Sequence, residues 1–399
     1  MPHWLAFGIE ATTTALAVIG LGYYVAAFVA GQVYAAHLRG AARLLAARRM
    51  AGNEISFPSI SILKPLKGLD PSMMEAFRSH CSQNYPAPYE MIFGVSSMED
   101  PAAAAVLELK REFPEKAIEL AVCLERLGAN GKVSTLVQML PSAKYEVVLI
   151  NDSDILVTPH YLERVAAAFA EPDKKQTGLV TALYRGRAHR TIASRFEALG
   201  IATDFQPSVL LSRMVEGVHY GFGSTLAVKR EALEKIGGLE PLVNYLADDY
   251  ELGKRVSDAG YAVHICAEVV ETGVPAYDWA GFIGHQLRWA RTVRDARPAG
   301  YIGLITSHGL AWAMLNLIAS GFHPVAVWLF ILVFFLRLAL AMSVGAGILS
   351  DHEVLPGLLL LPFRDALHLV LWFCGFMGHT IHWRGEDFLL KKGVLHKIT

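Results

Sequence analysis

The sequence predicts an α/β domain, a mostly parallel sheet with helices on both faces, joined to transmembrane helices at both ends of the chain. Three observations carry this reading: long apolar runs at the two ends, strand and helix patterns that alternate through the middle, and a shortage of charge. Of 399 residues, 53% are hydrophobic and 18% charged, against about 25% charged in ordinary soluble proteins. The deficit sits at the two ends. A chain of this length exceeds one ordinary domain, so a soluble body flanked by membrane segments is the natural division. The formal net charge of -1, with no basic stripe interleaved with aromatics, excludes a nucleic-acid partner. Cys81, Cys123, Cys266 and Cys374 show no C-x-x-C spacing, which argues against a disulfide framework or zinc knuckle and for free buried thiols.

Residues 11–38 are apolar apart from Gln32, His37 and a few threonines, long enough to cross about 30 Å of hydrocarbon. No Lys or Arg precedes them, and the run is too long for the core of a cleaved signal peptide. Arg39, Arg43, Arg48 and Arg49 follow, with no acid before Glu54. The positive-inside rule therefore puts the middle of the chain in the cytoplasm and the N-terminus outside. Residues 301–322 and 325–349 form two further spans joined at His323-Pro324, and Arg337 in the second must face protein or snorkel. Residues 355–383 are interrupted by Pro356, Pro362, Arg364 and Asp365. A re-entrant or broken segment is expected there, because a further full crossing would carry Arg384 and the closing lysines outside.

Between these ends, residues 60–63, 90–95, 118–124, 146–150 and 178–183 read as short buried strands. Residues 73–83, 101–113, 133–140 and 159–170 read as the helices between them. Such alternation builds a parallel sheet with right-handed crossovers, and ligands then bind beyond the carboxyl ends of the strands. The expected divisions are 1–50 for the first membrane helix and its basic flank, 51–277 for the cytoplasmic catalytic domain, 278–300 for an interfacial helix, and 301–399 for the C-terminal membrane region.

The motifs fall at those strand ends. Asn151-Asp152-Ser153-Asp154 follows the apolar run 147–150. Two carboxylates spaced i, i+2 can reach one hard cation, Mg2+ or Mn2+, and leave positions open for phosphate oxygens. A lone D-x-D is more often a solvated turn, and its place after a buried strand is what favours the metal. Glu99-Asp100-Pro101 sits after another strand, where Asp100 suits either a nucleotide contact or the N-cap of the helix that Pro101 opens. Lys64-Pro65-Leu66-Lys67-Gly68 and Asn130-Gly131-Lys132 place lysines where a diphosphate would sit, or are solvated loops. Asp248-Asp249 opens a helix after a Gly237-Gly238 turn. The helix dipole alone favours acids there, and the sharper reading makes one of them a general base. His285-Gln286-Leu287-Arg288-Trp289-Ala290-Arg291 lies in an amphipathic helix before the membrane, as a site motif or as an interfacial anchor.

In order and spacing, these elements resemble the inverting GT-A glycosyltransferases of the ceramide glucosyltransferase family, most of all its bacterial hopanoid-associated branch. The similarity runs from the first span to the closing Trp383-Arg384-Gly385 and includes Gly221-Phe222-Gly223-Ser224-Thr225. The resemblance implies that Asp100 contacts the nucleotide, Lys132 the diphosphate, Asp152 and Asp154 the nucleotide and metal, and that Asp249 is the base. It also implies that Arg288 and Trp289 grip the donor, and that Asp248, His285 and Trp289 line the acceptor site. Two departures stand out: His285 occupies the position where the family has Gln or Arg, and residues 200–206 lack the family's histidine. The implied activity is transfer of one sugar from a UDP-sugar to a membrane lipid, N-acetylglucosamine to a bacteriohopanetetrol-type hopanoid or, alternatively, glucose to ceramide. A processive polysaccharide synthase shares the motifs but uses more spans. The implied location is a bacterial inner membrane, with several spans and a cytoplasmic catalytic domain.

Overall fold

The computed structural model describes residues 3–50, 57–70, 72–171, 173–383 and 385–398; Arg384 of the closing motif lies outside them. The chain forms two compact units. One comprises Gly40–Tyr184, Val218–Gly273 and Gly393–Thr399, and the other Met1–Arg39, Arg185–Gly217 and Val274–Lys392.

The first unit is built on a sheet of β1 (Ile60–Pro65), β2 (Tyr89–Val95), β3 (Ile118–Val122), β4 (Val147–Ile150), β5 (Thr177–Arg187), β6 (Leu226–Lys229) and β7 (Ala262–Gly273), in the order β3-β2-β1-β4-β6-β5-β7. Strands β3, β2, β1 and β4 run parallel, and β6 is antiparallel to both β4 and β5. The fully buried runs of β1 and β4 reflect helices covering both faces, as a parallel sheet requires. The register pairs Leu63 with both Ile92 and Ile150, so the carboxyl ends of β1, β2 and β4 share one edge. The loops carrying Lys64, Asp100 and Asp152 leave the sheet there. Helix starts are fixed locally. Asp100 caps Pro101–Glu112 through the Ala102 N–H, with proline in the first turn, and Asn130 caps Gly131–Met139 through the Val133 N–H. Leu63, Ile92, Leu136, Met139, Val148 and Leu226 meet in the core between sheet and helices.

The expected parallel strands are present to within a few residues. Strand β6, set antiparallel between β4 and β5, and β7 at the edge of the sheet are additions that the sequence reading lacked. Four residues of β6 are too few for a periodic signal, and β7 alternates buried and half-buried positions only over residues 266–271.

The second unit is helical apart from β8 (Thr380–Trp383) and β9 (Glu386–Lys391), which pair antiparallel near its end. Among the described residues, four runs are long and apolar enough to cross a membrane: Trp4–Ala41, Pro298–Ala319, Pro324–Ile348 and Val354–Gly375. Pro356 and Pro362 do not break the last of these. The chain stays helical through a 3-10 step at Leu358–Leu360. Small residues permit close packing, since a Cβ on Gly20 would overlap the Gly309 backbone. Asn316 donates to Thr14 Oγ1 at 2.6 Å, and Gln32 donates to Ser343 at 2.7 Å. Arg337 faces protein, as its cost in a membrane demands. It makes a two-pronged contact to Asp365 at 2.8 and 3.0 Å and donates to the Thr203 carbonyl at 2.9 Å.

The division differs from the sequence boundaries in several places. Helices Ile192–Gly200 and Gln206–Val215, joined by a π-turn at Ile201–Phe205, belong with the membrane-type helices, because Thr203 and Asp204 are partners of Arg337 and Arg364. The segment Gly393–Thr399 belongs with the sheet unit.

Candidate active site

The centre of the sheet unit's site is Lys132, in the first turn of its helix. Its ammonium lies 2.8 Å from Asp152 Oδ1 and 3.4 Å from Asp248 Oδ2. Burial alone would lower its pKa, but Asp152 and Asp248 outweigh burial and hold the proton more tightly than usual. Asp249, beside Asp248, accepts from the Gly223 N–H at 2.9 Å and the Tyr250 N–H at 2.8 Å. Burial first, and the adjacent Asp248 second, push its carboxyl up to about 6 against the opposing pull of Lys132. That is close to the range in which a carboxylate works as a base near neutral pH.

The glycine motif has a spatial reason. A Cβ on Gly223 would come within 2.9 Å of an Asp152 carboxylate oxygen, and the Gly223 carbonyl accepts from the Asp152 N–H at 3.3 Å. A Cβ on Gly253 would overlap the Tyr220–Gly221 backbone, and one on Gly221 would overlap Leu226, so the helix Asp248–Asp258 seats closely against the 220–223 turn. Asp154 is held by Thr272 Oγ1 at 2.6 Å and the Gly273 N–H at 2.9 Å. Its pKa is raised by burial and by the charge of Asp152.

Among the described residues, no group of three or more His, Cys, Asp or Glu side chains is placed to hold a metal. Asp152 and Asp154 nonetheless fit a hard divalent cation. Each has one carboxylate oxygen committed within the protein, and the two repel each other. Such a cation needs only one or two protein carboxylates when phosphate oxygens and water complete its shell.

Two residues expected at the diphosphate or nucleotide do structural work. Lys64 is fully buried and donates to the Asp152 carbonyl at 3.1 Å. Burial lowers its pKa to about 7 despite the nearby Asp154 and Asp152. It braces the D-x-D turn from beneath. Asp100 accepts from the Gly68 N–H at 3.0 Å and the Ala102 N–H at 2.9 Å, so it ties the loop after β1 to the helix it caps.

Under the D-x-D lies a polar layer that the sequence reading missed. Asn151 donates to Ser224 O at 2.6 Å and to Tyr161 Oη at 3.0 Å, and lies 3.2 Å from His80 Nε2. Burial and then Lys64 hold the His80 pKa well below its usual value, so the ring is neutral. The signal available in the sequence was Asn151, a polar residue fused to an all-apolar strand.

In the helical unit, Asp278 caps the helix Trp279–Ala296 through the Gly281 N–H at 2.7 Å. His285 lies 3.1 Å from Glu197 and stacks on Tyr277, while Trp289 packs against the rings of Phe205 and His285. Arg288 is on the same helix. Trp289, Phe205, Leu371 and Trp372 help to wall a largely apolar cavity, whose polar lining includes Asp204 and His368. Asp204 binds His368 at 2.8 Å and Arg364 at 3.1 Å. The 200–206 segment thus meets a histidine brought by another helix.

The sequence pattern of glycosyl transferase family 21 matches residues 12–395. The chain belongs to that family. This family 21 member is 24% identical over 351 residues to ceramide glucosyltransferase 3 of Caenorhabditis elegans, covering 85% of this chain and 74% of the relative. It is 27% identical over 205 residues to ceramide glucosyltransferase 1 of the same organism, covering 51% of this chain and 43% of the relative. Among solved structures, a mannosyltransferase from Pyrobaculum calidifontis in complex with GDP-Man and Mn2+ superposes with a TM-score of 0.52 at 19% identity, covering 90% of this chain and 97% of that one. That likeness is one of fold. The family 21 chain is a glycosyltransferase with a GT-A-like fold.

Proposed function

We propose that the enzyme transfers one sugar from a UDP-sugar to a hydroxyl of a membrane lipid, with inversion at the anomeric carbon. The observation that carries this is the cluster in which Lys132 bridges Asp152 and Asp248 while Asp249 is held beside Gly223. Asp249, ionised above about pH 6, takes the proton from the lipid hydroxyl as its oxygen attacks the sugar carbon. The bond to the diphosphate breaks in the same displacement, so no covalent enzyme intermediate forms. Lys132 stabilises charge developing on the leaving diphosphate, and such fixed electrostatic terms are commonly the largest in transfer reactions. When bound, Mg2+ or Mn2+ on Asp152 and Asp154 would supply further neutralisation of the diphosphate. By the sequence resemblance Arg288 would also act on the donor, and Asp100 would shape the nucleotide's loop.

The helical unit would supply the acceptor. Its apolar cavity suits a lipid, and Trp289 lines it. The charged groups there are already paired, Glu197 with His285 and Asp204 with Arg364 and His368, which favours a neutral hydroxyl-bearing head. Four apolar helices keep that site at the bilayer, and the arginines after the first span support a cytoplasmic catalytic unit.

N-acetylglucosamine onto a hopanoid polyol is one pairing that the sequence resemblance supports. The worm relatives' names support glucose onto ceramide, as does His368 beside the 200–206 segment. Purified full-length protein given each donor with each lipid, with mass spectrometry of the lipid fraction, tests the reading. A lipid carrying one sugar is expected. A polymer ladder would indicate a processive synthase, and transfer only to water-soluble acceptors would sink the lipid reading.

A further inference from the structure

The strand β10 (Val394–Lys397) is remote in sequence from the catalytic turn, yet it forms part of the same unit. The Leu395 N–H donates to Asn244 O at 2.8 Å, and the Leu246 N–H donates to Gly393 O at 3.1 Å. Tyr245 bridges Val394 in antiparallel register, and Leu395 is 3% exposed. The clamped residues are those that hold the site. Asn244 Oδ1 accepts from the Ala129 N–H at 2.9 Å, and Tyr245 O accepts from Asn130 Nδ2 at 2.8 Å. Asn130 also donates to Asp248 Oδ1 at 3.3 Å and caps the helix of Lys132. Residues 244–246 are therefore gripped on one side by Asn130 and on the other by β10, directly before Asp248 and Asp249.

This pairing constrains the membrane path. A hydrogen-bonded body cannot be divided by a bilayer, so the chain between Gly273 and Gly393 crosses an even number of times. It contains three apolar runs. The long helix His3–Met50 serves as a ruler for which of them cross. Asn316 reaches the Glu10 carbonyl, Gly309 packs on Gly20, and the Leu310 N–H donates to the Tyr24 hydroxyl. Arg337 lies over Tyr24, and Ser343 accepts from Gln32. Pro298–Ala319 thus climbs along this helix and Pro324–Ile348 returns. Val354–Gly375 instead meets Asp204, Arg337, Tyr301 and His308 about level with Tyr24, in the middle of the ruler, and its Phe373 meets Trp312.

We propose that β10 is a strap that positions the Asp248–Asp249 turn on the catalytic side of the membrane, and that Val354–Gly375 enters the membrane from that side and leaves by it without crossing. The kinetic part rests on Asp249 being the base.

Cysteines introduced one at a time at Glu115, His323 and His396, in full-length Cys374→Ser protein whose three remaining thiols are buried, are labelled in sealed membranes with an impermeant maleimide. Positions 115 and 396 should react together from one face, and 323 from the other. Labelling of 396 together with 323 overturns the path. Leu395→Pro removes the strap's N–H. It should cut kcat about tenfold or more while UDP affinity stays within about threefold, and Leu395→Ile should restore kcat. Unchanged kcat, or equal loss of UDP binding, overturns the positioning role. Asp249→Asn separates the two readings. If it retains turnover the base assignment fails, whereas a dead Asp249→Asn beside a fully active Leu395→Pro removes the strap alone.

Discussion

The two units each contain a cluster of charged side chains, and the clusters are built on opposite plans. In the helical unit Arg337, Arg364, Asp365 and Asp204 alternate in sign, with His368 at the edge, and each charge has an opposite neighbour within 3.2 Å. In the sheet unit Asp152, Asp248 and Asp249 gather around Lys132 and Asp154 lies close to Asp152, with Lys64 beneath the turn held at a pKa of about 7. The first cluster is complete as it stands. In the second, burial first and like charges second raise the pKa of Asp154 and of Asp249, a strain that folding alone does not relieve. Balanced networks fix structure, and unbalanced ones mark sites whose remaining partners are ligands.

Breaking each cluster should therefore read out differently. The largest effect is expected from Asp249→Asn, which should lower turnover ~10²–10⁴-fold while steady-state UDP binding persists; near-normal turnover would remove Asp249 from the chemistry. In the balanced cluster, Arg337→Met should destabilise the protein by about 3–5 kcal/mol, because Asp365 loses its two-pronged partner. Thermal unfolding in detergent measures this, and a melting temperature equal to wild type would show the network to be dispensable. The pH dependence sharpens the contrast. Asp249 acts as a base only when ionised, so kcat/KM should climb by about tenfold per pH unit below its pKa and level off above about pH 6. A flat profile from pH 5 to 7 would argue against it. The smallest effect belongs to Lys64→Met. With its ammonium buried against the Asp152 carbonyl, its loss should change stability by only about 1 kcal/mol and leave UDP affinity near wild type. A loss of affinity matching that of Lys132→Met would put Lys64 on the diphosphate after all.

The contrast also explains what was legible in the sequence. Strands β1, β2 and β4 announce themselves as largely apolar runs because both faces are covered, and Asn151-Asp152 stand out as the polar residues that end one. Asp100 and Asn130 could be placed as helix caps from their neighbours alone. The layer of His80, Asn151 and Tyr161 could not, since its members are brought together by the sheet's crossovers from positions up to 81 residues apart. Lys64 misled because a lysine at a strand end looks alike whether its ammonium points out to a phosphate or in beneath a turn. Residues 192–215 read as part of the soluble domain, since the partners that draw them away, Arg337 and Arg364, lie more than a hundred residues later. The four residues of β10 carry no periodic signal at all.

If the uncompensated carboxylates are the donor site, cation and diphosphate must bind there together. Calorimetric titration of UDP into full-length protein, with Mn2+ and after chelation, measures this directly for wild type and for Asp154→Ala. The account predicts metal-dependent binding in wild type that weakens at least about tenfold in the variant. Binding of equal strength without metal, or unchanged in the variant, would contradict it.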